Sequence, residues 1–199
     1  MRRALALSAR AAVGATALHV AARSDAAAPP RAPVYTPLTA PHDHSLEHHL
    51  LHGALKGAGR VERYELSLSD ESPPRLLAAA RLGDKSCGHP LFLHGGVIAA
   101  LLDDAMGMLF LSLGKGTGFT ANLSVDYRSP IPHGTELHVT AFLDRTEVSQ
   151  KSGATKVYLR AEVRGATSNK LFAEGRALFV VKPPQLGMLL AGALGVGGK

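Results

Sequence analysis

From Gly95 to Leu113 the chain reads GGVIAALLDDAMGMLFLSL, apolar on every side except at Asp103 and Asp104. The run is too long for one strand, so it predicts a helix, and a helix apolar all round must be covered by other protein. Four later segments, 119–128, 135–148, 155–164 and 171–181, instead alternate apolar and polar residues. Such alternation marks half-buried strands. In the first of them Phe119, Ala121, Leu123, Val125 and Tyr127 are predicted to point one way, and Thr120, Asn122, Ser124, Asp126 and Arg128 the other. Upstream, Tyr64, Leu66 and Leu68 alternate within 61–69, and the short apolar run LLAAARL at 76–82 predicts another strand. Turn sequences separate the later strands, and no helical crossover lies between them. The fold class is therefore α+β, a long central helix wrapped by a curved antiparallel sheet.

The flanking segments are less regular. Residues 26–41 hold five prolines and predict an extended linker. Asp43 or Ser45 is placed to cap a short helix from about Leu46 to Lys56, ended by Gly57 and Gly59. His44, just before it, and His48, His49 and His52 within it form a histidine-rich stretch. No Cys, Asp or Glu joins them in a known ligand pattern, so they are assigned to the polar face of the helix and no metal site is expected. The tail, 183–199, is apolar and glycine-rich.

Charge changes the picture once it is located. The 199 residues carry 22 Lys plus Arg against 16 Asp plus Glu, a formal +6. Residues 1–31 hold five arginines and one aspartate, so they account for +4 and the body for only +2. A clustered basic face for nucleic acid is not expected on such a body. The Arg-rich, acid-poor leader has the composition of an organelle targeting peptide, read as mitochondrial matrix with plastid as the alternative. The single cysteine, Cys87, excludes an internal disulfide. No uninterrupted apolar run reaches the roughly 20 residues of a bilayer span, so no stable membrane insertion is expected. The chain divides into a leader (1–31), a linker with the His-rich helix (32–60), a folded domain (61–182) and the tail.

Two features within the domain carry candidate chemistry. An ionised carboxylate in an apolar helix is costly unless partnered or open to solvent. Adjacent helical residues lie about 100° apart, so Asp103 and Asp104 cannot share a face. Asp103 falls with Gly96, Ala99 and Gly107, a side with room for a ligand or another chain. Asp104 falls with Val97, Ala100 and Leu111. At the helix start, His94-Gly95-Gly96 offers unobstructed backbone N–H groups at a positive helix end, suited to a polarised oxygen.

The strings HGGVIAALLDDAMG (94–107) and TANLSVDYRSPIPHG (120–134) resemble the hot-dog-fold acyl-CoA thioesterases, in particular the carboxyl-terminal modulator protein group. The resemblance covers about residues 85–182, and its specific part is the nine-residue spacing from His94 to Asp103. It implies a hot-dog fold completed as a dimer, with active sites at the seam. It also implies hydrolysis of medium- to long-chain fatty acyl-CoA, with no cofactor beyond the coenzyme A of the substrate. In that scheme the Gly95 N–H contacts the oxyanion, Asp103 is general base or nucleophile, Thr120 holds the attacking water and His94 shapes the loop or donates. Gly96, Asp126, Arg128, His138 and Lys151 are the candidate contacts to substrate and coenzyme A. A homodimer or homotetramer is the expected assembly. The rival readings are a hot-dog enoyl-CoA hydratase or dehydratase and a non-catalytic regulatory binding protein.

Overall fold

The computed structural model describes residues 31–38 and 49–181. The leader, the start of the expected Leu46–Lys56 helix and the glycine-rich tail lie outside the described residues. Among those described, nine strands and one long helix are ordered along the chain as β1 (Tyr35–Pro37), β2 (Val61–Ser69), β3 (Leu76–Leu82), β4 (Cys87–His89), β5 (Phe92–Leu93), α1 (Gly95–Ser112), β6 (Gly118–Tyr127), β7 (Glu136–Val148), β8 (Thr155–Gly165) and β9 (Leu171–Val181). Seven of the strands form one antiparallel sheet in the order β1-β2-β3-β7-β8-β9-β6. β6 follows the helix directly yet lies at the far edge against β9, so the 129–134 turn sequence leads across the sheet to β7 rather than into a hairpin. β4 and β5 pair as a small separate ladder just before α1.

α1 packs against β3, β7, β8, β9 and β6. Ile98, Leu101, Leu102, Ala105, Met106, Leu109 and Phe110 form its buried stripe, at the three- and four-residue spacing that keeps side chains on one helical face. The sheet meets them with its inward positions, among them Leu76, Ala78 and Ala80 of β3, Leu137 and Val139 of β7, and Val157 and Leu159 of β8. Small residues opposite large ones let the layers interdigitate. Gly175 in β9 brings backbone so near that a Cβ there would lie 3.3 Å from Leu102. In length and mean hydropathy (1.5) α1 would also suit a membrane crossing, but its apolar stripe is the core of this sheet.

Three expectations are corrected. The apolar helix is not wrapped on every side: Asp103, Gly107 and Met108 are half-buried and Leu111 is 59% exposed. The proline-rich segment is not only a linker, because Tyr35–Pro37 adds an edge strand to β2. Proline is tolerated there, since an edge strand needs hydrogen bonds on one side only.

The third correction concerns β6. Its register against β9 shifts between Thr120, opposite Phe179, and Asn122, opposite Leu178, which leaves Ala121 as the extra residue of a bulge. The bulge breaks the simple alternation. Thr120 turns inward with Leu123 and Val125, while Phe119 goes to the other face, 62% exposed. Gly118 secures the strand's entry, because a Cβ there would fall 2.7 Å from the Phe110 ring and 3.0 Å from the Val180 carbonyl. Phe110 in turn stacks on Phe179 with ring centroids 5.0 Å apart.

Leu102 is fully buried at the closest approach of helix and sheet. Leu102→Ala is expected to reduce the free energy of unfolding by about 2–5 kcal/mol, read from the midpoint of urea denaturation.

Candidate active site

The entrance to α1 is built around His94. Its backbone is extended, its N–H donates to the Ser86 carbonyl at 2.9 Å, and its Nδ1 accepts the Gly96 N–H at 2.8 Å. The imidazole is therefore the helix cap, and a neutral ring in this arrangement carries its proton on Nε2. Gly88 makes room for it: a Cβ at that position would sit 2.5 Å from the ring. The Gly96 N–H is thus committed to His94. Gly95 holds the first helical position, where no intrahelical carbonyl is available to its N–H. Its carbonyl accepts the Tyr127 hydroxyl at 2.8 Å, and the Tyr127 ring flanks the glycine. Alternation gives Tyr127 only a shared strand face with Leu123 and Val125; its role as the latch of the first helical turn depends on a contact 32 positions away.

Two turns further on, Asp103 accepts a hydrogen bond from Thr120 Oγ1 at 3.0 Å. The β6 bulge aims that hydroxyl. Both residues line a cleft of about 220 Å³ whose other walls include Gly107, Met108, Leu111 and Phe179. Gly95 lines a different cleft, of about 350 Å³, with Ile98, Tyr127 and Arg128. Eight residues separate Gly95 from Asp103, about 12 Å along the helix. The donor and the carboxylate of one chain therefore cannot both touch a single carbonyl group.

Asp104 faces away from Thr120, into a cluster the sequence did not reveal. Its Oδ2 accepts the Tyr64 hydroxyl at 2.7 Å. His49 Nε2 lies 3.3 Å from Oδ1 and His52 Nε2 3.4 Å from Oδ2. His49 and His52 do not line the polar face of a regular Leu46–Lys56 helix, and His44 and His48 lie outside the described residues. The described part of that segment holds a single wide helical turn, Leu50–Ala54, closed by hydrogen bonds five residues apart, and it turns His52 inward. Burial, together with the Asp104 carboxylate, pushes the Tyr64 phenol well above its ordinary pKa of 10.

The model of the Thioesterase superfamily matches residues 92–168. Those residues are similar to that family. The chain is 34% identical over 93 residues to acyl-coenzyme A thioesterase THEM4 of Xenopus laevis, a match covering 47% of this chain and 39% of that protein. It is 26% identical over 113 residues to acyl-coenzyme A thioesterase 13 of Mus musculus, covering 56% of this chain and 76% of the relative. It is also 31% identical over 102 residues to the uncharacterized mitochondrial membrane protein FMP10 of Saccharomyces cerevisiae, covering 49% and 39%. The chain thus spans about two-fifths of the length of its THEM4 and FMP10 relatives. In architecture the domain is a hot-dog fold, a long helix held by an antiparallel sheet.

The matched residues include His94, Gly95, Asp103 and Thr120, and exclude His49, His52 and Tyr64. The remaining candidates are dispersed. Arg128 borders the Gly95 cleft, but its guanidinium pairs with Glu174 at 3.3 Å and Asp126 at 3.5 Å. Asp126 lines a polar cleft with Arg160 and Glu174. His138 alternates with the inward Leu137 and Val139 and so lies on the sheet face away from α1. Lys151 is exposed in the β7–β8 turn. Neither His138 nor Lys151 lines the cleft of Gly95 or that of Asp103.

Tyr64→Phe leaves Asp104 without its shortest partner and is expected to cost about 1–3 kcal/mol of stability at neutral pH. Because the native pKa is raised, the protonated phenol's contribution is whole below pH 10 and is lost as pH climbs from 10 towards the native value. The gap between wild type and Tyr64→Phe, measured by denaturant unfolding, should stay level from pH 7 to 9 and close above pH 10.

Proposed function

We propose that the domain hydrolyses acyl-CoA thioesters. The observation that carries this reading is the Thr120 hydroxyl on the Asp103 carboxylate at 3.0 Å, on the side of α1 that the sheet leaves open. Thioester hydrolysis needs a base beside a water and a donor aimed at the developing oxyanion. Asp103 and Thr120 supply the first, since a carboxylate and a hydroxyl together hold a water and accept its proton as it attacks the carbonyl carbon. The Gly95 N–H, at the positive end of α1, supplies the second. Collapse of the tetrahedral intermediate expels the coenzyme A thiolate, to which the proton passes.

The separation of about 12 Å between Gly95 and Asp103 requires that these parts come from two chains. β6 is a sheet edge with nearly all of its side chains exposed or half-exposed, Phe119 among them. A second copy docked along β6 would join the two sheets and set the Gly95 of one chain against the Asp103 and Thr120 of the other. The proposed assembly is thus a homodimer with two equivalent sites.

The relatives named acyl-coenzyme A thioesterases support the substrate class. A medium- to long-chain fatty acyl group is the proposed substrate, with Arg128 turning from Glu174 and Asp126 to a phosphate. The hydratase alternative asks the His94 ring for proton transfer, and its Nδ1 is already occupied by the Gly96 N–H. The Arg-rich leader and the mitochondrial yeast relative support a mitochondrial location, with the matrix as the proposed compartment.

Asp103→Asn keeps the side chain's size and its contact to Thr120 but removes the base. Its kcat on acyl-CoA is expected to fall by about 100- to 10,000-fold, with unchanged circular dichroism and sedimentation. Wild-type turnover by that variant, or turnover of enoyl-CoA in preference to acyl-CoA by the wild-type protein, would overturn the assignment.

A further inference from the structure

We propose that His49, His52 and Asp104 form a binding site for a divalent transition cation of the zinc class. One ligand atom from each lies within 4.8 Å of the others. The two contacts to Asp104, 3.3 and 3.4 Å, are long for hydrogen bonds. Each runs to its own oxygen of the carboxylate, and each taken singly matches the separation of about 3.3 Å between neighbouring ligands on an ion whose bonds are about 2.0–2.1 Å. Two imidazoles and a carboxylate are a donor set of intermediate softness, suited to zinc and its neighbours rather than to calcium or magnesium.

The surroundings of the triad point the same way. His52 Nε2 is buried and has no hydrogen-bond partner although it is aimed at Asp104. An orphaned ring nitrogen at that depth is costly, and a metal bond would satisfy it. Tyr64 holds Asp104 Oδ2 from behind and stacks obliquely on His52, with centroids 5.2 Å apart. This is the outer support that fixes metal ligands in place. His49 Nδ1 receives the His52 N–H at 3.4 Å. That bond is given up when Nε2 binds the ion, since Nδ1 then carries the proton, but a contact of this length is worth little beside a metal–nitrogen bond. His49 and Asp104 also line the Asp103 cleft, where water has access to complete the coordination. The ion would tie the Leu50–Ala54 turn to α1, closing one wall of that cleft.

The test uses the full chain, stripped with a chelator and titrated with Co²⁺. Visible d–d bands of a four-coordinate ion are expected, saturating at one Co²⁺ per chain and displaced by Zn²⁺, with a rise in Tm on Zn²⁺ addition. His52→Gln and Asp104→Asn should weaken binding more than about 100-fold, and Tyr64→Phe by about 10-fold, as for loss of an outer partner. Should either ligand variant fail to fold, His49→Gln keeps the test, because that ring is 39% exposed. The sequence also holds histidines at 42, 44 and 48, and replacing all three with glutamine should leave the bands intact. The proposal is overturned if no bands appear, if the ligand variants bind as wild type does, or if only the upstream triple variant loses binding.

Discussion

Burial of the α1 stripe against the inward face of the sheet is the constraint from which the other features follow. Seven side chains at three- and four-residue spacing must be removed from water together, and each large one contributes about 1.5–3 kcal/mol when fully buried. A flat sheet cannot cover a cylinder, so the strands curve around it. Alanines at 78, 80 and 141 and the bare backbone at Gly175 face the helix's larger side chains. The same geometry leaves the opposite side of α1 uncovered. Polar groups on an apolar helix survive there or where a partner covers them: Asp103 lies half-buried on that side, and the nearly buried Asp104 is covered by Tyr64 and the histidine turn.

One inserted residue then decides what Asp103 meets. Without the Ala121 bulge, Thr120 would point away from the helix with Asn122 and Asp126, and the carboxylate would face the Phe119 ring or water. With it, a hydroxyl arrives at 3.0 Å while Leu123 and Val125 stay inward. Bulges re-aim side chains at the rims of sheets and beside active sites, and here the device sits on the edge strand, where a disturbed ladder has one neighbour rather than two.

What was legible in the sequence was local. The helix and the strands of 61–69 and 76–82, and the four after the helix, follow from periodicities that each segment carries within itself, and the roles expected of His94, Gly95 and Asp103 from the family resemblance that their spacing carries. The face of Thr120 did not follow from alternation, because alanine at 121 suits a regular strand as well as a bulge. β1 was hidden for a related reason: proline lowers strand propensity, yet an edge position tolerates it. The pairing of β6 with β9, and the meeting of His49 and His52 with Asp104, are contacts across 46 or more residues, set by topology. The histidine spacing was visible, but its carboxylate stands in another element.

The neighbouring aspartates show how one helix serves two directions. Residues 100° apart cannot compete for the same partner, so Asp103 turns to Thr120 and the open cleft while Asp104 turns to Tyr64 and the histidine turn. The two directions still meet, because both aspartates line one cleft with His49 and Thr120. Whatever binds between Asp104 and the histidine turn therefore shapes a wall of the space in which Asp103 would meet a substrate.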